Sequence, residues 1–268
     1  MSNIEIQEVR FDDFALEQAR DYMPGPEVGK VIAETGTFAV LGIVAAGKGT
    51  VAESLIRDGF AAVAISDTTR DIKDRDRMNP SDPESYPTAY NFWETRDMVG
   101  KILAREMVEV APVHGNIYGT PLDALKKVAA SAKRPMLEID IQGVQKIHTI
   151  APEMPSFFIT VSNVPTWLER WAGRDSDITE EEFTTRVKSA ISECSTAVKM
   201  AFDGQLILIA NHSAELAAES VKVALEDGIV ANQAERILAL RDFTEVITND
   251  HGTGRLWEDF QHLAKQSV

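Results

Sequence analysis

The chain predicts an α/β fold, with a five-stranded parallel sheet flanked by helices, and three observations carry that expectation. Five short apolar runs recur along the 268 residues: Thr37–Leu41, Phe60–Ile65, Pro135–Ile141, Ser156–Val161 and Gln205–Ala210. Their nearly unbroken Val, Ile, Leu and Phe content suits strands covered on both faces. Helical patterns lie between them, and such alternation marks a doubly wound sheet that binds ligands beyond the carboxyl ends of its strands. The first run is followed, at that place, by a glycine-rich turn and a helical pattern.

Residues 1–36 read as an N-terminal helical extension. After the first strand comes Gly42-Ile43-Val44-Ala45-Ala46-Gly47-Lys48-Gly49-Thr50, the layout of a phosphate-binding loop. Two glycines let successive backbone N–H groups turn inward on a polyphosphate. A helix starting near Lys48 (apolar at Val51, Leu55 and Ile56) adds its positive end, and Lys48 adds a mobile charge. The strict pattern has Ser or Thr directly after the lysine, whereas here Gly49 intervenes before Thr50. The second strand ends at Ile65, and Ser66 follows it. It is followed to about Thr120 by an insertion rich in Asp, Arg, Pro and Tyr, with one expected helix, Thr95–Glu109. The third strand carries Asp140. After the fourth, two helices flank an acidic segment with arginines at its ends, Arg170 to Arg186. The first begins near Asn163 with Pro165 early in it; the second follows Thr179, with Glu182 in capping-box position. Asn211 follows the fifth strand. Residues 227–268 read as a C-terminal helical extension, amphipathic at Ile237, Leu238 and Leu240 and again at Leu256, Trp257, Phe260 and Leu263. Long insertions in a compact fold are usually lids or binding loops.

Composition narrows the classes. The chain is 44% hydrophobic, enough for an ordinary core, and no apolar run is long enough to span a bilayer. Its start, Met1-Ser2-Asn3-Ile4-Glu5, lacks the basic and apolar stretches of a secretory signal, so a cytoplasmic protein away from membranes is expected. Cys194 is the only cysteine, which excludes an internal disulfide and suits a reducing compartment. A formal net charge of −15 argues against general nucleic-acid binding. The five histidines lack metal-ligand spacing.

Further words follow the phosphate loop in order: Ser66-Asp67-Thr68-Thr69-Arg70, Tyr90-Asn91-Phe92, Glu109, Gly115-Asn116-Ile117-Tyr118-Gly119-Thr120 and Leu137-Glu138-Ile139-Asp140-Ile141-Gln142-Gly143. Together they resemble the guanylate kinases over roughly Thr37 to Glu226. The resemblance implies a P-loop kinase core (37–226) with an NMP-binding insertion at about 66–120 and a lid at about 170–186. It implies transfer of the γ-phosphoryl of ATP to GMP or dGMP, with Mg²⁺. On that reading Gly42, Ala45, Ala46, Gly47, Lys48, Gly49 and Thr50 hold ATP, with Asn211 near its adenine and Thr50 near the metal, directly or through water. Lys48 and the lid arginines Arg170, Arg174 and Arg186 neutralise the charge of the transfer. Ser66, Arg70, Lys73, Glu84, Tyr90, Glu109, Tyr118, Thr120 and Asp140 form the acceptor site. The residue types suit this chemistry: a guanidinium grips a phosphate with two bonds, tyrosine hydroxyls donate without adding charge, and a carboxylate such as Glu109 accepts both N1–H and N2–H₂ of guanine.

Three positions depart from the family pattern. Lys73 and Asp76 stand where it normally has arginine and glutamate. The stretch from Arg70 to Tyr90 is longer than usual, so counting back from Tyr90 places the acid at Glu84, with Arg75 or Arg77 as the guanidinium. Glu138 stands where the family has aspartate. Two alternatives stay open here: a related kinase with another nucleotide or phospho-sugar acceptor, and a non-catalytic guanylate-kinase-like binding domain. The terminal helices could pack on the core or form a homodimer contact.

Overall fold

The computed structural model describes residues 3–71, 90–113 and 115–266. In chain order the elements are α1 (Asn3–Asp21), α2 (Pro26–Thr35), β1 (Phe38–Leu41), α3 (Lys48–Arg57) and β2 (Ala61–Val63). Next come β3 (Ser66–Thr68), β4 (Tyr90–Phe92), α4 (Thr95–Leu103), β5 (Met107–Val113), β6 (Asn116–Pro121), α5 (Leu122–Ala130), β7 (Arg134–Glu138) and α6 (Ile141–His148). The chain continues with β8 (Ser156–Thr160), α7 (Val164–Arg174), α8 (Glu180–Phe202), β9 (Ile207–Ala210), α9 (Ala214–Asp227), α10 (Gln233–Thr253) and α11 (Arg255–Gln266).

The five apolar runs become the five strands of one sheet, in the order β2-β7-β1-β8-β9. The pairs β1–β8, β2–β7 and β8–β9 are parallel. Every residue of β1 and of β8 is buried, as a sheet covered on both faces requires. The helices α7 and α8 start as their sequence dictates. Asn163 caps α7, accepting from the Thr166 amide, while Thr179 and Glu182 make the reciprocal capping box of α8.

The insertion contains a second sheet, order β4-β3-β6-β5, with β3 and β4 parallel and β5 antiparallel to β6. Here the expected helix Thr95–Glu109 is corrected. α4 stops at Leu103, Arg105 turns into the left-handed region (φ +57), and Glu109 lies on β5. The left-handed residue breaks the helical run, and Met107, Val108 and Val110 bury against the sheet instead. A second correction concerns the third strand. It ends at Glu138, which leaves Asp140 exposed in the turn before α6 rather than inside a strand.

The chain divides into two compact units. One comprises Met1–Phe38, Ala61–Glu138 and Gln142–Met154; the other comprises Ala39–Phe60, Ile139–Ile141 and Pro155–Val268. The first has a core in which Ala15, Ala19 and Tyr22 of the α1 region pack with Met98, Val99, Ile102 and Met107 of the insertion. The second is centred on aromatic side chains from α7, α8, α10 and α11, Trp171 and Phe183 stacking at 4.8 Å between ring centroids.

Candidate active site

The loop after β1 is built to present amides. Gly47 (φ +86) caps α3 with no side chain on the cap, and the first intrahelical bond runs from the Val51 amide to the Gly47 carbonyl, 3.1 Å. The amides of Lys48, Gly49 and Thr50 therefore lack helical acceptors and are available to an outside one, as at other helix N-termini that suit anions. Neither loop glycine is replaceable. A Cβ on Gly47 would sit 2.4 Å from Asn211 Nδ2, and one on Gly42 would sit 2.7 Å from the Ile159 carbonyl oxygen. Ala45 adopts φ +57, a left-handed conformation disfavoured for any residue with a Cβ. Lys48 Nζ folds back to the Gly42 carbonyl (3.4 Å), and Thr50 Oγ1 donates to the Gly47 carbonyl (2.7 Å).

A network ties this loop to α7. Asn211 Nδ2 donates to the Ala46 carbonyl (2.8 Å), and Arg170 reaches both the Ala46 carbonyl (3.4 Å) and the Asn211 carbonyl (3.1 Å). Trp167 Nε1 donates to the Val44 carbonyl (2.7 Å). Asn211 thus sits beneath the loop, and its buried Oδ1 has no protein partner among the described residues.

Between α7 and α8, Asp175 Oδ2 accepts from both Arg174 and Arg186, each at 2.9 Å. Burial alone would raise the Asp175 carboxyl, but the two guanidinium groups outweigh it and hold it below the usual carboxylate range. Both arginines are thus held on one carboxylate. Glu193 of α8 escaped the sequence reading. Burial pushes its carboxyl up to about 7, with Lys48 drawing it down and Asp140 driving it further up. Glu193 therefore feels the charges of both Lys48 and Asp140. The missed clue was periodicity: Glu193 lies seven residues, two helical turns, beyond Arg186.

The insertion carries a separate polar cluster within its own unit. Ser66 Oγ and Thr120 Oγ1 lie 2.9 Å apart, and Thr120 donates on to Glu109 Oε1 at 2.9 Å. Glu109 is only 4% exposed, which for a carboxylate requires partners. The bulged register between Met107 and Glu109 on β5 places Glu109 opposite Thr120. Arg70 lies 5.5 Å from the centroids of both the Tyr90 and Phe92 rings, and Tyr118 meets Tyr90 edge-on at 5.4 Å. On the alternate face of β3, Asp67 is fully buried, held by Lys101 (2.5 Å) and Asn91 (2.9 Å). That pair braces β3, β4 and α4, and it too escaped sequence reading. Lys73 and Glu84, with Asp76, Arg75 and Arg77, lie outside the described residues.

The sequence therefore assembles two groups, each within one unit. Gly42, Ala45–Thr50, Arg170 and Asn211 meet around the phosphate loop. Ser66, Thr120 and Glu109 form a hydrogen-bonded chain on the insertion's sheet, and Arg70, Tyr90 and Tyr118 form a second cluster there. Among the described residues no group of three or more His, Cys, Asp or Glu side chains could cage a metal, and no helix is long and apolar enough to cross a membrane. Cys194 is buried, its thiol pushed up to about 12, which removes it as a nucleophile.

A glycine-rich loop that follows β1 and opens α3, with Arg170 of α7 against it, is the arrangement of the P-loop phosphotransferases. The guanylate kinase family model matches residues 35–228. Guanylate kinase of Trichormus variabilis is 33% identical over 202 residues, 75% of this chain and 91% of that protein. Guanylate kinase of Clostridium acetobutylicum is 32% identical over 162 residues, 60% and 73% of the respective chains. The crystal structure of guanylate kinase from Anaplasma phagocytophilum superposes with TM-score 0.49 at 22% identity, covering 74% of this chain and 88% of that one. The chain belongs to the guanylate kinase family.

Proposed function

We propose that this protein transfers the γ-phosphoryl group of ATP to GMP, and to dGMP, releasing ADP and GDP. The observation that supports the reading is Glu109, a buried carboxylate of the kind that can accept from a base offering two adjacent donors, in a chain that also carries an intact phosphate loop. Guanine has that edge and adenine does not. Ser66 and Thr120 extend the polar chain in the same cluster, and Arg70, with Tyr90 and Tyr118, supplies donors for the acceptor phosphate. Lys73 and Glu84 are proposed to complete that phosphate site. Asp140, placed in the turn after β7, is proposed to serve the acceptor or the transfer centre.

Phosphoryl transfer needs alignment and charge neutralisation more than covalent help. The amides of Lys48, Gly49 and Thr50 cradle the donor's phosphates, while Lys48 Nζ leaves the Gly42 carbonyl for them. Arg174 and Arg186 exchange Asp175 for the migrating group, and Arg170 holds the loop's far side. Asn211 is proposed to support the adenine end of the donor through the loop it braces. In-line attack by the acceptor phosphate oxygen breaks the bond between γ-phosphorus and bridging oxygen; no protein residue is phosphorylated.

The residues present fit Mg²⁺ that arrives with ATP. Thr50 Oγ1 offers a hard oxygen whose own proton is committed to Gly47, and Mg²⁺ characteristically binds through one or two protein oxygens plus phosphates and water. When bound, the ion neutralises the β- and γ-phosphate oxygens. A cytoplasmic setting is the reading that one buried thiol and a net charge of −15 support. Homodimerisation is proposed through exposed apolar side chains of the terminal helices, Phe11 and Phe14 on α1 and Leu238 and Val246 on α10.

Incubation with ATP, GMP and MgCl₂, followed by chromatographic separation of nucleotides, tests the activity. Equal amounts of ADP and GDP are expected, and none when EDTA replaces the metal. ADP with inorganic phosphate, and no GDP, would overturn the reading.

A further inference from the structure

We infer that the C-terminal helices α10 and α11 are part of the phosphoryl-transfer machinery, with Phe243, Trp257 and Phe260 acting as positioning residues for the lid and the phosphate loop. All three lie beyond residue 228, where the family match ends. The inference rests on the kinase reading above.

The contacts form a continuous path within one unit. Phe243 of α10 meets Trp167 edge-on at 5.6 Å, and the Trp167 indole donates to the Val44 carbonyl of the phosphate loop at 2.7 Å. Phe260 of α11 lies 5.6 Å from Trp171 and 4.9 Å from Phe183. Trp257 lies 5.1 Å from Phe183 and stacks on Phe260 at 5.7 Å. Trp171 follows Arg170 directly, and Phe183 precedes Arg186 by three residues, so the stacked pair sets where both guanidinium groups emerge. Aromatic rings have few rotatable bonds, so a six-ring cluster fixes helices against one another more firmly than aliphatic contacts of equal area. The lid turn itself faces α11 across a cavity of about 320 Å³ lined by Ser176, Asp177 and Ile178 on one side and Trp257 and Phe260 on the other.

An arginine misplaced by 1 Å loses much of its hold on a transition-state charge. Loosening the cluster therefore lowers turnover, and it leaves the acceptor site, which belongs to the other unit, unchanged.

Trp257 is half-buried and Phe260 fully buried, so Trp257→Ala is the milder variant and Phe260→Leu the control for folding. Initial rates per active site, counted by titration with ATP, separate catalysis from the amount of folded protein. Expected for Trp257→Ala is a drop in kcat of about tenfold or more with KM for GMP unchanged. Trp257→Phe, which keeps a ring, should restore kcat to within about twofold. Hydrogen exchange should quicken in α7 and α8 and stay constant in β5 and β6. Unchanged kcat per active site in both Trp257→Ala and Phe260→Leu would overturn the inference, and so would a rise in KM for GMP that matches the fall in kcat. If the unaltered chain makes no GDP, the kinase reading fails; loss of GDP formation confined to the variants speaks only to α10 and α11.

Discussion

Lys48, Ala45 and Glu109 each make a different kind of contribution. Lys48 has a carbonyl partner only at 3.4 Å in the resting loop, so Lys48→Ala should leave the melting temperature within about 2 °C while kcat falls by roughly 10²-fold or more, since its charge matters chiefly against phosphate. Circular dichroism melts and initial rates together check this. Ala45 is strained where it stands, at φ +57. Relief of a left-handed alanine is worth on the order of 1 kcal/mol, and in a chain of this size that is about 2–4 °C. Ala45→Gly should therefore melt higher than the parent. At Glu109 the substitution Glu109→Gln keeps shape and loses charge and one acceptor. Charge-assisted bonds to a buried carboxylate are each worth about 1.5–3 kcal/mol, so kcat/KM for GMP should fall by about 10²-fold while steady-state KM for ATP holds. Glu109 could be read as an acceptor only through the resemblance; its burial and its bond to Thr120 come from strand pairing that no local pattern announced.

Among the elements, those with strong local chemistry were the legible ones. The strands of the main sheet are dense apolar runs, the phosphate loop is punctuated by glycine, and α7 and α8 carry their caps in the sequence. The small sheet was not legible. β3 and β4 are three residues each, and their partners lie far along the chain, so pairing was decided by tertiary contact. The same reason turned the end of Thr95–Glu109 from helix to strand. The helix α1 carries a related lesson: its apolar face looked like a generic extension, yet it lies on the insertion. Tyr22 donates to the Met107 carbonyl at 2.5 Å across that contact. Tyr22→Phe leaves a buried carbonyl without its donor, a loss of about 1–3 kcal/mol, and should lower the melting temperature measured by calorimetry by several degrees, with KM for GMP rising because β5 carries Glu109.

For the whole molecule, the half-buried carboxyl of Glu193 links folding to pH. The folded chain keeps this proton up to about 7, whereas the ordinary value is 4.5. Between those values the folded state binds more protons than the unfolded one, so this group's contribution makes stability fall as pH rises through the window. Glu193→Gln cannot ionise and should gain more melting temperature over the parent at pH 8 than at pH 5, in a thermal scan at both values. The interplay of Glu193, Lys48 and Asp140 was invisible in the sequence because it joins a helix, a loop and a turn that are distant along the chain. The central claim, phosphoryl transfer from ATP to a guanine nucleotide, is tested most directly by kcat/KM for GMP and AMP measured side by side in a coupled ADP-release assay. The account predicts a preference for GMP of at least about 10³-fold, as expected where a buried polar group is left unpaired by the wrong base. Equal values for the two acceptors would contradict it.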